Sequence, residues 1–408
     1  MRNRYAIGGD GGGLYLFWDD NAALTGNIVQ GNTAGTVGTS SGGGLYIDGC
    51  PGVTLIGNTV QNNTAGGGTH SNGGGVYLKR SPATLNGNVV RGNTASAVER
   101  GNGGGMYLAW SPTTLNGNII VSNTAALSTD GYGGGLFYMG YGGTYTLTNN
   151  LVADNHASGS GSGLMFRGSS SSLGLTGFLL HNTIADNHGG VEGIFAYKYA
   201  TLAFTNTIIA GHHSVGINVA AGCTVTVEAT LWHENGAATS GAGSISTGTV
   251  NVTGDPAFAD PYAWDYHLTA SSAAIDEGVD VSSTLLCSRD IDGHPRPQES
   301  APDIGADEFF LVAPVGVSIS GPAEGAVGRS YVFTATVSPP TTTKPITYTW
   351  APEPASGQGE ETTVYSWTMP GAKTITVTAE NIADAAPLAT HEITIADYKI
   401  YLPLILRN

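Results

Sequence analysis

The residues able to do chemistry fall into repeating columns. Asp154 and Asp186 occupy the same place in successive repeats, and each is followed two residues later by a histidine, His156 and His188. Stacked one coil apart, such carboxylates come within about 5 Å of each other. That is close enough to hold a cation such as Ca2+, or to split their pKa values for acid–base work. Six of the ten histidines lie between positions 156 and 233, which adds weight to this region. The competing reading is that Asp and His are ordinary choices at a tight turn.

A second column is aromatic: Tyr15, Tyr46, Tyr77 and Tyr107, continued by Phe137, Met165 and Phe195. Alternation places these side chains outward, where rings can stack on the apolar faces of sugars; a packing ladder beneath a neighbouring loop would use the same residues. A third column follows immediately: Trp18, Asp19 and Asp20; Asp48; Lys79 and Arg80; Trp110; Tyr141; Arg167; then Tyr197, Lys198 and Tyr199. Aromatic and charged groups in one strip suit an extended polysaccharide, with Lys79, Arg80, Arg167 and Lys198 available to anionic sugars. A solvated loop rim is the alternative.

Only a periodic chain can build such columns, and this one is periodic. Gly11-Gly12-Gly13-Leu14-Tyr15-Leu16 recurs with Leu14 replaced in turn by Leu45, Val76, Met106, Leu136, Leu164 and Ile194, at steps of 31, 31, 30, 30, 28 and 30 residues. A second motif keeps the same register, pairing Asn27 with Asn32, Asn58 with Asn63, and so on to Asn182 with Asn187. Each period holds two or three short alternating strands punctuated by Gly and Asn. Asn tolerates the left-handed corner conformation, and its amide can bond the Asn of the next coil. About thirty residues at roughly 3.3 Å each make one wide turn of a parallel β-helix, a solenoid in which each coil buries its apolar side on its neighbours. Leu14, Leu45, Val76, Met106, Leu136, Leu164 and Ile194, with Leu16, Ile47, Leu78 and Leu108, are expected inside. One Thr per coil at Thr33, Thr64, Thr94 and Thr124 falls short of the paired ladders of an ice-binding face.

At 408 residues the chain can hold several domains. A formal net charge of −16 argues against nucleic acid as a partner. Cys50, Cys223 and Cys287 permit at most one disulfide and do not form a zinc motif; all three are expected to be structural. No apolar run reaches membrane-spanning length. The repeats begin almost at once after Met1-Arg2-Asn3-Arg4-Tyr5, without a signal-peptide core or an end cap, which reads as a fragment or as a start lying upstream.

Four segments are expected. The β-helix occupies 1–254, and a turn-rich module closing its C-terminal end occupies 255–312. Residues 313–397 alternate in six or seven short strands around a lone Trp350, as in an immunoglobulin-like β-sandwich. An apolar tail, 398–408, ends the chain. The fold class is therefore all-β.

The GGG[LVM]Y and LxxN pairs resemble the GGA[ILV] and FxxN repeats of polymorphic outer-membrane proteins and related pectate-lyase-like β-helices. DYHLT, AIDEG, DIDGHPRP and DIGADEF, between Asp255 and Phe309, are similar to the closing module of choice-of-anchor Q surface proteins. Pro314 to Ala396 resembles a PKD-type domain without its WxFGDG motif, and YLPLILR looks like the tails of some secreted proteins of filamentous green bacteria. These resemblances imply export and surface display, in families that mostly lack an assigned activity. With the outward columns, the expectation is a monomer acting in adhesion or glycan binding without turnover. The enzymatic alternative is a lyase or hydrolase acting on an acidic polysaccharide. A polygalacturonase-like series is absent, since Asp19-Asp20 stands alone. The lyase resemblance implies Asp154 and Asp186 as calcium carboxylates near Arg167 as base, with His156 and His188 beside them.

Overall fold

The computed structural model describes residues 9–397 apart from 37, 68, 69, 129, 282–286, 341, 384 and 385. The expected apolar tail at 398–408 lies outside them. The chain divides into two compact units, Met1–Phe309 and Phe310–Asn408.

In the first unit the GGGxY strands stack in parallel. Among the described residues, nine form one sheet, from Leu14–Phe17 through Leu45–Asp48 and Val76–Lys79 to Ala237–Ser240, with Leu14 opposite Leu45 and Val76 opposite Met106. The LxxN segments form the second face, a 16-stranded sheet among the described residues. Leu45, Ile47, Leu78, Leu85, Leu108 and Leu147 lie at most 1% exposed in the lumen between the faces.

The triple glycine has two causes. Gly73 sits at φ +61°, a left-handed corner that costs glycine nothing. Gly74 is needed for room: a Cβ there would lie 2.4 Å from the carbonyl oxygen of Gly104 on the next coil.

Two asparagine ladders run down the lumen edge. Asn63 donates from its backbone N and from Nδ2 to Asn93 Oδ1, each at 3.0 Å, and its Nδ2 also reaches Val29 O of the preceding coil at 2.9 Å. The left-handed residue is the one before each ladder position: Gly57, Gly87, Gly117, Asn149 and His181 on one corner, and Asn62, Gly92, Ser122, Asp154 and Asp186 on the other. The expectation that the ladder asparagines themselves take up that conformation is thus corrected. They are instead buried hydrogen-bonding struts.

The segment from Gly254 to Phe309 does more than close the last coil. It covers Val250 and Val252, then lies along the flank of the 16-stranded sheet. There Tyr266, Leu268, Ala274 and Ile304 pack on Val121, Leu151, Ala153, Ala185, Ile208 and Leu231. Its acids serve as backbone acceptors. Asp290 takes the amides of Asp292 and His294, Asp303 those of Asp276 and Phe309, and Glu308 those of Asp303 and Gln298. Arg296 and Glu308 form a fully buried pair at 2.8 Å. The described Cys50, Cys223 and Cys287 are buried free thiols.

The second unit is a β-sandwich. One sheet joins Gly316–Ser320, Ser330–Ser338 and Thr362–Ser366; the other joins Glu324–Ala326, Leu388–Ala396, Gly371–Glu380 and Thr347–Ala351. Trp350 is buried at its centre with Phe333, Tyr365, Ile375 and Ile393, and its indole N–H donates to Glu360 O at 2.9 Å.

Candidate functional site

The aromatic column is stacked as alternation requires, yet it does not stand free. Ring centroids from Tyr15 through Tyr46, Tyr77 and Tyr107 to Phe137 are 4.9, 5.0, 5.2 and 4.9 Å apart. Tyr46, Tyr77 and Tyr107 are only 4, 9 and 7% exposed, packed with Ala109, Phe137, Met165 and the flanking Tyr132, Met139 and Tyr197. The expected open platform for sugar rings is therefore corrected to a packing ladder, and burial raises the phenol pKa values along it. Tyr15, on the first coil, is exposed.

The next corner is different. Backbone bonding puts Trp18, Gly49, Arg80, Trp110 and Gly140 in one column, and Lys198 continues it beyond Gly168. Trp18, Arg80, Trp110 and Lys198 all have positive φ, from 49° to 54°, which swings their side chains away from the lumen. Trp18 is 67% exposed and Tyr141 60%, with Trp110 and Tyr199 also exposed. Glycines make room beside them: the Trp18 indole lies over Gly49, and the Tyr199 ring over Gly222. Pro82, Thr84, Pro112, Thr114 and Thr144 line an open groove of about 310 Å3 just past this corner.

The cations of the strip are unevenly available. Buried Asp48 receives Arg80 through Nε at 3.0 Å and Nη2 at 2.7 Å, and Lys79 Nζ lies 3.2 Å away. Such a bidentate pair fixes the guanidinium plane. Lys198 instead lies 5.4 Å from the centre of the Tyr197 ring.

The acid column is occupied by protein partners. Asp154 and Asp186 sit on adjacent left-handed corners, where Asp is a tolerated residue. Asp154 Oδ2 accepts from Trp264 Nε1 at 3.1 Å, and Asp186 Oδ2 accepts from the Tyr266 hydroxyl at 2.8 Å. Burial raises the Asp186 pKa, opposed by the Tyr266 bond. His156 and His188 lie opposite each other, ring centroids 5.3 Å apart, and His188 Nδ1 is 3.7 Å from Asp154 Oδ1. Burial, then the neighbouring His188, lowers the His156 pKa. Arg167 ends a strand of the other sheet, in register with Met139 and Tyr197, so the implied base is not brought to the acid corner.

Sequence reasoning missed three features. His212 replaces asparagine in the second ladder, its Nε2 3.4 Å from Asn187 Nδ2 and its Nδ1 2.9 Å from Asn235 Oδ1, and burial lowers its pKa to about 4. Trp264 and Tyr266 are the partners of the acid pair, signalled only by aromatics bracketing Asp265. Finally, His267, Asp292 and Asp307 offer ligand atoms within 4.8 Å of one another, as do Asp290, Asp292 and His294.

Stacked parallel coils with internal Asn ladders and a side-chain strip along one corner define a parallel β-helix protein. The model of the family described as the right-handed β-helix region matches residues 2–152 and 43–231, together more than half of the chain. The chain belongs to that family. No curated protein matches it. Among solved structures it is similar to the PKD domain of an M14-like peptidase from a Thermoplasmatales archaeon, at 23% identity, covering 21% of this chain and 98% of that chain, with a TM-score of 0.18. No helix among the described residues is long and apolar enough to cross a membrane.

Proposed function

We propose that this protein binds an extended polysaccharide or cell-surface glycan along the corner strip of its β-helix, without turnover. The carrying observation is the column of exposed Trp18, Trp110, Tyr141 and Tyr199 interspersed with Lys198 and the Asp48-paired Arg80, beside an open groove. Coils repeat at about 4.8 Å, so a linear chain laid along the strip meets an aromatic face or a cation on several coils. Aromatic faces stack on sugar rings, and the cations favour acidic sugars. A role in adhesion outside the cell accords with the resemblance to surface-displayed β-helices.

A polysaccharide lyase or glycoside hydrolase is supported less well, because each carboxylate of the expected acid pair already accepts a hydrogen bond from the flanking segment. Affinity electrophoresis against acidic and neutral polysaccharides tests the proposal. Trp110→Ala combined with Tyr141→Ala is expected to weaken retention about tenfold or more, the equivalent of about 1.4 kcal/mol, while Tyr77→Phe leaves it unchanged. Retention that survives the double substitution would remove the strip from the binding site.

A further inference from the structure

The segment lying along the flank of the β-helix gathers its polar side chains at the mouth of a second cleft, remote in sequence from the corner strip. The cleft is about 240 Å3, with Ile119, Leu151, Ile291 and Ala306 on its apolar walls and His267, Asp292 and Asp307 at one side. Three observations set these residues apart from the surrounding turn-forming acids.

First, the imidazole is oriented from behind. His267 Nδ1 lies 2.5 Å from Asp265 Oδ1, which leaves Nε2 directed at Asp292 Oδ2, 2.7 Å away. A carboxylate on the far nitrogen of a histidine is the usual second support of a metal-ligating imidazole. Second, Asp307 is only 7% exposed, yet just one of its oxygens is used: Oδ2 accepts the Leu268 amide at 2.7 Å, and Oδ1 accepts no hydrogen bond among the described residues. Oδ1 is not sealed off from the cleft, which leaves it open to meet a cation there. Third, the three ligand atoms lie within 4.8 Å of one another, so only small side-chain shifts bring them inside the roughly 4.4 Å that two bonds of about 2.2 Å to one ion can span. The neighbouring trio Asp290, Asp292 and His294 lacks these properties, because the Asp290 oxygens are taken by the amides of Asp292, His294 and Glu308.

We propose that His267, Asp292 and Asp307 bind one divalent transition-metal ion of the Zn2+ or Mn2+ kind, with Asp265 as the positioning residue for His267. One imidazole with two carboxylates suits such an ion better than Ca2+, which takes six to eight oxygen ligands. The ion bridges two separate stretches, the strand carrying His267 and the turn-rich run carrying Asp292 and Asp307, and so ties the flanking segment to itself where it lies on the coils.

The test uses the full chain, stripped with chelator and then dialysed against Zn2+, Mn2+ or Ca2+ in turn, with bound metal counted and thermal unfolding followed. The expected result is one equivalent of Zn2+ or Mn2+ with a raised unfolding midpoint, lost in Asp292→Asn and in His267→Gln. Asp265→Asn should retain the stoichiometry but weaken affinity about 10–100-fold. Asp292 and His267 are half exposed, so these variants are expected to fold, and the metal-free circular dichroism spectrum checks that they do. Absence of bound Zn2+ and Mn2+, binding of Ca2+ alone, or binding unchanged in both ligand variants would overturn the assignment.

Discussion

At the residue scale, alternation in the sequence says which side chains leave the lumen but not what meets them outside. Tyr46, Tyr77 and Tyr107 leave it and are covered; Trp18 and Tyr141 leave it and stay exposed. Asp154 and Asp186 were legible as a register pair. Their partners Trp264 and Tyr266 were not, because those lie 110 and 80 residues away in a segment without repeats. Tyr266→Phe is expected to lower stability by about 1 kcal/mol by leaving the half-buried Asp186 carboxylate short of a donor. Urea unfolding checks this, and an unchanged midpoint would mean that the Tyr266–Asp186 bond contributes nothing to stability. His181 gives a pH signature. It is buried between Asn206 Nδ2, which donates to Nε2 at 3.0 Å, and Asp303 O, which accepts from Nδ1 at 3.2 Å. Burial, with Arg296 nearby, holds its pKa well below the usual histidine value. The unfolded chain therefore takes up this proton first, and the stability due to neutral His181 is lost as pH falls below about 6.5. Nearby Asp303, raised to about 7 by burial, acts in the opposite sense, so the comparison must be with a variant. His181→Asn keeps a residue that the adjacent coils use at this corner, Asn149 and Asn206. Its midpoint should fall less steeply than that of the wild type between pH 7 and 5.

At the scale of elements, the coil was legible almost in full, because a period is a physical constraint repeated many times. The 30- and 31-residue steps fix which strand faces which, and the register of Leu14 on Leu45 and Val76 on Met106 follows. The burden carried by the Asn ladder is larger than corner tolerance alone suggests. Asn93 accepts two hydrogen bonds from Asn63 and donates to Asn123 Oδ1 and Val60 O. Asn93→Ala is expected to cost on the order of 3 kcal/mol or more, since several buried groups lose partners together. Equilibrium denaturation should show it, whereas a loss below 1 kcal/mol would mean that the ladder is incidental. Gly74→Ala should be comparably damaging through backbone collision with Gly104, while Gly57→Ala meets no neighbouring atom and suffers only the strain of φ +61°. The path of the flanking segment was beyond the sequence. Its Asp, Gly and Pro punctuation announces turns, but the apolar residues that lay it along the coils, such as Tyr266, Leu268 and Ile304, are too few and too irregular to declare a surface.

At the scale of the whole molecule, the chain is a β-helix unit followed by a sandwich unit, with low charge density and a net charge of −16. The acidic balance makes the basic and aromatic residues of the corner strip conspicuous, and an anionic glycan held there has to be held locally, against the overall field. Its binding should therefore strengthen at moderate ionic strength, where distant repulsion is screened while stacking persists. The most direct measurement incubates the purified chain with a panel of acidic and neutral polysaccharides. It follows retention, unsaturated-uronate absorbance and new reducing ends on the same samples. The account predicts retention on at least one glycan without product, and with no effect of Asp154→Asn combined with Asp186→Asn. Product that appears with the wild type and vanishes in that double variant would contradict it and make the acid corner an active site.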